Sequence, residues 1–302
     1  MATQVLFIVN RKAGTDDKKA FPGAVARYLD ATRFSSRIVY TDYRGHAVEL
    51  AADAARQGVE IVAAVGGDGS VNEVARGLAG TATVMAIIPQ GSGNGLARFL
   101  GIPRSTARAL ELIREGAPRP IDVGSAAGHL FLSNAGVGFD ALIAGLFRDN
   151  KGRGLWNYAR LVLAAIRRYE PVHYKVSTGE GGWEGKAFFV TAANADQFGY
   201  GFRIAPQARI DDGFLDVCVM KPLRWWQLGA VSWKALRGTL PGSRYADYLR
   251  CRSLTLSGAT PLGPLQVDGD EVETARGELL IEIRPRALRV MLPRGERSGT
   301  QK

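Results

Sequence analysis

The feature that most constrains this chain is a short apolar run, Ile61 to Val65, that leads straight into Gly66-Gly67-Asp68-Gly69-Ser70-Val71-Asn72-Glu73-Val74. The apolar run reads as a buried strand, and the segment after the glycines reads as a helix. Three glycines in four positions let the backbone turn sharply and approach a ligand closely. Ser70 and Asn72 can cap the helix that starts there, and the unpaired amides of a helix N-terminus favour phosphate. Asp68 is a carboxylate where anions should bind, which makes sense if it holds a metal ion, positions a hydroxyl or accepts a proton. A plain Gly-rich turn closed by an Asx-type hydrogen bond also suits the run.

Two further turns have the same build. Val84 to Ile88 is followed by Pro89-Gln90-Gly91-Ser92-Gly93-Asn94-Gly95-Leu96-Ala97-Arg98, and strand-like Val5 to Val9 runs into Asn10-Arg11-Lys12-Ala13-Gly14. In an open parallel sheet, ligands sit beyond the carboxyl ends of the strands, so three such loops can converge on one nucleotide. None fits GxxxxGK[ST] or GxGxxG, which disfavours an ordinary P-loop or dinucleotide fold.

The first 120 residues alternate strands (Val5 to Val9, Ser36 to Tyr40, Ile61 to Val65, Val84 to Ile88) with helical patterns at Ala20 to Leu29, His46 to Gln57, Val71 to Leu78 and Ser105 to Arg114. This predicts a nucleotide-binding α/β domain with a parallel sheet. After Pro120 short strand candidates dominate: Ile121 to Ser125, His129 to Ala135, Val172 to Ser177, Gly185 to Ala193, Leu215 to Met220, Ser253 to Ser257, Pro264 to Val267 and Glu278 to Ile283. They predict an all-β sandwich over 121–285, with 286–302 returning to the first domain. Two helical inserts interrupt it, Leu155 to Tyr169 and Trp225 to Arg237.

The formal charge of +10, largely from arginine, points to an anionic partner: phosphate, an acidic membrane face or nucleic acid. No nucleic-acid-binding signature accompanies it, so that partner is not expected. The histidines His46, His129 and His173 are not spaced as metal ligands, and Cys218 and Cys251 are too few for a zinc motif, leaving two reduced core thiols. With neither a leader-like start nor about 18 uninterrupted apolar residues, a cytoplasmic location is expected. The second insert, Arg224-Trp225-Trp226 through Trp233-Lys234-Ala235-Leu236-Arg237, combines indoles with cations. It suits peripheral contact with a membrane interface, and equally a helix whose indoles lie in the core.

With these motifs in order, the chain resembles the diacylglycerol kinase catalytic-domain family, which includes bacterial lipid kinases and sphingosine kinases. The likeness spans nearly all of it. GGDGSVNEV resembles the family's GGDGT-x-NEV, Pro89 to Asn94 its PxGTxN loop, and Thr41 with Gly45-His46-Ala47 its T-then-GHA segment. In the second half, Asn134 to Asp140 resembles NxxGxGxD, Ala208 to Val217 the run ending DGxLDV, and Leu288 to Pro293 the closing strand. Departures are Ser70 and Ser92 for threonine, which keep the hydroxyl, and Asp270 for the glutamate of a DGE motif, which shortens the carboxylate by one methylene.

The resemblance implies a first domain like those of NAD kinases and phosphofructokinases, and an ATP-dependent transfer of the γ-phosphate to the hydroxyl of a membrane lipid such as diacylglycerol or a sphingoid lipid. ATP would be bound by Asn10, Gly14, Thr41, Gly66, Gly67, Asp68, Gly69, Ser70, Asn72 and Ser92, with Mg²⁺. Asp270 stands at the family's proposed proton-acceptor position, whereas in the sphingosine kinases the Asp of GGDG has that task, so Asp68 and Asp270 are both catalytic candidates. A second, structural Mg²⁺ is implied on the Asp212 carboxylate and the carbonyls of Arg209 and Phe214, where the residues alone read as a β-turn. Candidate lining for acyl chains is Phe198 to Phe202 and the aromatic insert. The competing readings are an NAD kinase-like enzyme acting on a small acceptor, and a non-catalytic lipid- or nucleotide-binding regulator.

Overall fold

The computed structural model describes residues 2–11, 20–149, 155–196, 202–258, 262–272 and 277–295. The chain divides into two compact units, residues 1–123 with 285–302, and residues 124–284. The elements of the first unit are β1 (Thr3–Asn10), α1 (Phe21–Tyr28), β2 (Phe34–Thr41), α2 (His46–Arg56), β3 (Ile61–Gly66), α3 (Asp68–Leu78), β4 (Val84–Pro89), α4 (Gly95–Phe99) and α5 (Thr106–Glu115). Strand β5 (Ala117–Ala126) leads to β6 (His129–Phe131), β7 (Asn134–Gly138), α6 (Phe139–Asp149), α7 (Leu155–Ile166), β8 (Val172–Thr178), β9 (Gly181–Ala187), β10 (Phe189–Ala193) and β11 (Leu215–Met220). A 3₁₀ turn (Trp225–Gln227) precedes α8 (Leu228–Leu236), β12 (Ala246–Cys251), β13 (Ser253–Gly258), β14 (Leu265–Val267), β15 (Asp270–Val272) and the long β16 (Glu278–Leu292).

In the first unit β2-β1-β3-β4 form a parallel sheet in that order, extended beyond β4 by Arg289 and Val290 of β16, also parallel. The strands read as unbroken apolar runs because both faces are covered. Val5, Phe7, Val9, Ala63, Val65 and Ile88 pack with Phe21 and Val25 of α1 and Leu110 and Ile113 of α5. The alternate residues Leu6, Ile8, Val62, Ala64, Met85 and Ile87 are equally buried, on the side of α2 and α3.

The second unit holds an antiparallel six-stranded sheet, β12-β11-β10-β7-β14-β15, and a second sheet in which the start of β16, β13, β8 and β9 pair antiparallel. Alternation gives each strand an inner face. Ala135, Val137, Val190, Ala192, Val217 and Leu265 of the first sheet meet Phe131, Tyr174, Val176, Leu254, Leu256 and Ile281 of the second. The opposite face of the six-stranded sheet, through Phe189, Cys218 and Met220, is covered by Phe139 and Ile143 of α6, Ile166 of α7 and Val231 of α8. The sandwich thus carries a helical layer. Both cysteines are buried, which pushes the Cys218 thiol up to about 12 and that of Cys251 to about 11, as suits inert core thiols.

Three local expectations needed correction. Helix α6 follows the Gly138 turn, where Phe139 and Ile143 give it a core-facing stripe that the motif reading had absorbed. The expected strand Gly185 to Ala193 is two, because Phe188 leaves the ladder and its amide bonds the Met220 carbonyl at 2.7 Å. The strands expected at Glu278 to Ile283 and Leu288 to Pro293 are one, within which Arg286 takes φ +53° and its amide donates to Oδ1 of the fully buried Asp122 at 2.7 Å.

Candidate functional site

The carboxyl ends of the parallel strands form a row. Register pairs Asn10 with Thr41 and Gly66 with Pro89, and the pairing of Val9 with Val65 sets Asn10 beside Gly66. The chain leaves β1 towards β2 on one side, and β3 lies on the other. Strand order therefore reverses between β1 and β3, where open α/β sheets take their ligands. Across that point Asn10 Nδ2 donates to Ser70 Oγ at 3.0 Å.

The two glycine loops meet by direct backbone contact. A Cβ on Gly67 would lie 3.1 Å from the Gly91 Cα, and one on Gly91 would collide with the Gly67 Cα. Only glycine permits this approach. Asn94, at φ +51°, closes the second loop by accepting the Gly91 amide at 2.9 Å and donating to the Gly91 carbonyl at 2.7 Å. Above the first loop the space is open, since a Cβ on Gly69 would meet nothing within 4 Å. Helix α3 begins at Asp68 with no side-chain cap, and its first intrahelical bond runs from Val71 to Gly67, so the amides of Asp68, Gly69 and Ser70 lack helical acceptors.

Asp68 turns its carboxylate towards the second loop and accepts the Leu96 amide at Oδ1, 3.4 Å. Burial raises its pKa, opposed by the amides of Leu96, Gly95 and Asn94 and by the Arg98 guanidinium. It therefore ties the two loops together and carries its charge in a partly desolvated place. Arg98 is half-buried, with Nε shielded from water and without a hydrogen-bond partner among the described residues. The Gly45 amide, at the start of α2, donates to Glu73 Oε1 at 3.0 Å and fixes the Thr41 to Gly45 loop against α3. Amides, the hydroxyls of Ser70 and Ser92 and one arginine make a donor set that fits a polyphosphate.

In the second unit Asp270 opens β15 at the end of a two-residue hairpin. Asp268 (φ +50°) and Gly269 (φ +86°) form its turn, of the type that matches strand twist. Asp268 clamps that turn by accepting the amides of Leu132, Ser133 and Asn134 at 2.8, 2.7 and 3.1 Å, and Gln266 Oε1 accepts the Gly269 amide at 3.0 Å. Asp270 is exposed, whereas Glu271, pointing to the other face of β15, packs its carboxylate against Gly145 of α6. The half-buried Asp140 accepts Thr191 Oγ1 at 2.6 Å and its neighbour's amide at 2.8 Å, and the desolvation of its carboxyl pushes that group up to about 7.

Around the turn 209–216, Asp212 Oδ1 accepts the Phe214 amide at 3.1 Å, and Oδ2 pairs with Arg250. Asp216 is the unexplained neighbour. Its Oδ2 is buried without a hydrogen-bond partner, and burial, with Asp212 adding repulsion against the pull of Arg250, lifts its carboxyl to about 6. Among the described residues no cluster of three His, Cys, Asp or Glu side chains occurs, so a cation here would need backbone carbonyls as well. Two adjacent carboxylates, one with an orphaned oxygen, fit a hard cation.

Of the residues expected to bind nucleotide, the fold brings Asn10, Thr41, Gly66, Gly67, Asp68, Gly69 and Ser70 to one strand-end row, with Asn72 a turn further along α3 and Ser92 exposed on the adjoining loop. Gly14 lies outside the described residues, as do positions 198–201 of the expected acyl lining. Asp270 and the 209–214 turn stand in the second unit. Sequence reasoning missed Asn94, Arg98, Glu73 and Asp268. A non-glycine residue beside the glycines of a tight loop was the available signal for Asn94 and Asp268.

Residues 4–126 match the model of the diacylglycerol kinase catalytic domain, and residues 133–292 that of the YegS C-terminal NAD kinase β-sandwich-like domain. A Pseudomonas aeruginosa (strain UCBPP-PA14) protein named "Probable lipid kinase YegS-like" is 33% identical over 96% of this chain and 94% of its own length. A diacylglycerol kinase crystal structure from Bacillus anthracis superposes with a TM-score of 0.78 at 25% identity, covering 97% of each chain. An Archaeoglobus fulgidus NAD kinase in complex with ATP shares the fold at a TM-score of 0.51 and 12% identity, over 96% of this chain and 94% of that one.

Proposed function

The chain belongs to the diacylglycerol kinase catalytic-domain family of YegS-like lipid kinases and is a phosphotransferase using ATP, and from that premise we propose that its acceptor is the hydroxyl of a membrane lipid of the diacylglycerol or sphingoid type. The observation that carries the reading is the backbone contact of Gly67 with Gly91, which gathers two donor-rich loops at the sheet's switch point. The free amides of α3, with Asn10, Ser70 and Ser92, hold the β- and γ-phosphates, and Arg98 supplies positive charge as the terminal phosphate is transferred. Mg²⁺, when bound with ATP, neutralises charge on those oxygens.

Asp68 keeps the loops in register through the Leu96 amide. Asp270, exposed on a clamped hairpin of the second unit, is available to accept the proton of an acceptor hydroxyl. The turn bearing Arg209, Asp212 and Phe214 would hold a second Mg²⁺ through the Asp212 carboxylate and backbone carbonyls, with the Asp216 carboxylate beside it.

The test is transfer of radiolabel from ATP to diacylglycerol, a sphingoid base and NAD in parallel, with D68A and D270A as controls. Label on a lipid, lost in D68A and severely reduced in D270A, is the expected result. Label on NAD alone would assign the enzyme to a small acceptor, and ATP binding without transfer to any acceptor would make it a regulator.

A further inference from the structure

Eight large hydrophobic side chains among the described residues are exposed, and six of them belong to the helical layer of the second unit: Leu146, Leu163, Trp225, Trp226, Trp233 and Leu236. Helix α8 with its preceding turn is turned inside out. Its exposed positions are Trp225, Trp226, Gly229, Ala230, Trp233, Leu236 and Arg237, from Trp226 onward spaced as one helical stripe, while the buried positions are the smaller Val231 and Ala235, with Leu228 packed half-buried against the core. Burying indoles would have been the more favourable use of this helix in water, since an indole removes far more apolar surface than a valine or alanine. The three indoles are instead 50%, 57% and 58% exposed.

Each exposed indole carries an arginine. Arg167 of the α7 end lies 5.4 Å from the Trp225 ring centre, Arg224 lies 5.1 Å from that of Trp226, and Arg237 lies 4.3 Å from that of Trp233. The Arg167 contact joins α7 to the α8 turn, so apolar and cationic groups form one surface. Its charge is of a single sign. No Asp or Glu occurs between Asp216 and Asp247, or between Asp149 and Glu170. Among the described residues, Arg160, Arg167, Arg224, Lys234 and Arg237 have no carboxylate partner. A protein partner would need a matching acidic and aromatic-accepting surface. A fluid anionic leaflet meets both requirements, accepting indoles at the headgroup level and neutralising the arginines.

We infer that this α7–α8 face docks the protein on a bilayer containing anionic lipid, with Trp226 and Trp233 inserted at the headgroup level and the arginines on lipid phosphates. No described helix is long and apolar enough to cross a membrane. The relevance of this docking to catalysis rests on the lipid kinase reading, whereas vesicle binding does not.

The experiment is co-sedimentation of the full chain with phosphatidylcholine vesicles and with equimolar phosphatidylcholine–phosphatidylglycerol vesicles, for wild type, W226S/W233S and R224Q/R237Q. Wild type should prefer the anionic vesicles, with indole fluorescence shifting to the blue and quenched by brominated lipid. The tryptophan pair should cost about a hundredfold in partitioning. Removing two cations should cost about 25-fold on anionic vesicles only, since each contributes about a factor of five near such a leaflet. Both variants should melt and bind Mg-ATP as wild type does, so that a loss of sedimentation is a loss of vesicle binding. Equal sedimentation of wild type and W226S/W233S, or no sedimentation with either vesicle, overturns the inference. So does a wild-type dimer in light scattering that W226S/W233S dissociates without any vesicle binding, which would give the face to a second copy. Vesicle binding by a protein that transfers phosphate to no lipid would leave the docking face standing and remove the kinase acceptor.

Discussion

Gly91 and Gly69 stand in neighbouring glycine loops, yet alanine at the two positions should have opposite effects. A methyl on Gly91 would collide with the Gly67 Cα and sit 3.2 Å from the Gly67 nitrogen and 2.9 Å from Asn94 Oδ1. Two of those atoms are backbone, and the third belongs to a side chain held by two hydrogen bonds, so neither loop can yield cheaply. Overpacking of this kind costs about 1–3 kcal/mol, or about 2–10 °C in melting temperature for a chain of this size. A methyl on Gly69 meets nothing within 4 Å and stands in helix α3, where alanine is favoured by about 0.5–1 kcal/mol. G69A should therefore melt at or slightly above the wild-type temperature. If the open space over Gly69 is where phosphate approaches the backbone, G69A should still weaken Mg-ATP binding about tenfold or more, a loss near 1.4 kcal/mol. Scanning fluorimetry and titration calorimetry on the two variants read both quantities. A G69A protein that binds ATP like wild type, or a G91A protein that melts like wild type, would refute the convergence of the two loops on a nucleotide.

Three other outcomes follow from the same geometry. D268A removes the acceptor of three backbone amides and should cost about 3–5 kcal/mol in denaturant unfolding, with D268N intermediate because one oxygen can still serve Ser133 and Asn134; equal stability of D268A and wild type would contradict the clamp. Asp140 has its carboxyl raised by burial from 3.8 to about 7, so the folded state holds its proton more tightly than the unfolded chain. Its contribution is complete below about pH 4 and lost as pH rises towards about 7, by up to about 4 kcal/mol. D140N should flatten the stability–pH curve over that window, and an unchanged slope would show that Asp140 titrates normally. Millimolar Mg²⁺ should raise the melting temperature of wild type but not of D212N/D216N, and identical Mg²⁺ responses would assign the 209–216 turn to purely protein contacts.

How much was legible in the chain depended on how local each determinant is. The strand–glycine loop–helix units could be read because unbroken apolar runs ending in glycine report a strand, a turn and a helix within about a dozen residues. The same locality gave Asp68 as a carboxylate of interest and the alternation of a sandwich after Pro120, whereas Asp270 came from the resemblance to the kinase family. Residues whose importance comes from partners far along the chain stayed hidden. Asp268 matters because Leu132 to Asn134 lie against it, and Arg98 because α4 returns its guanidinium towards Asp68. The tryptophans of α8 were ambiguous for the same reason, since period alone cannot say which stripe of a helix apolar on both sides meets the core. The composition and order of its apolar runs committed this chain to a glycine-looped parallel sheet followed by a sandwich. Only the packed structure decided that the glycine loops touch, which carboxylate is clamped and which is exposed, and that the indoles face outward, because each is set by contacts between segments that the linear order keeps apart.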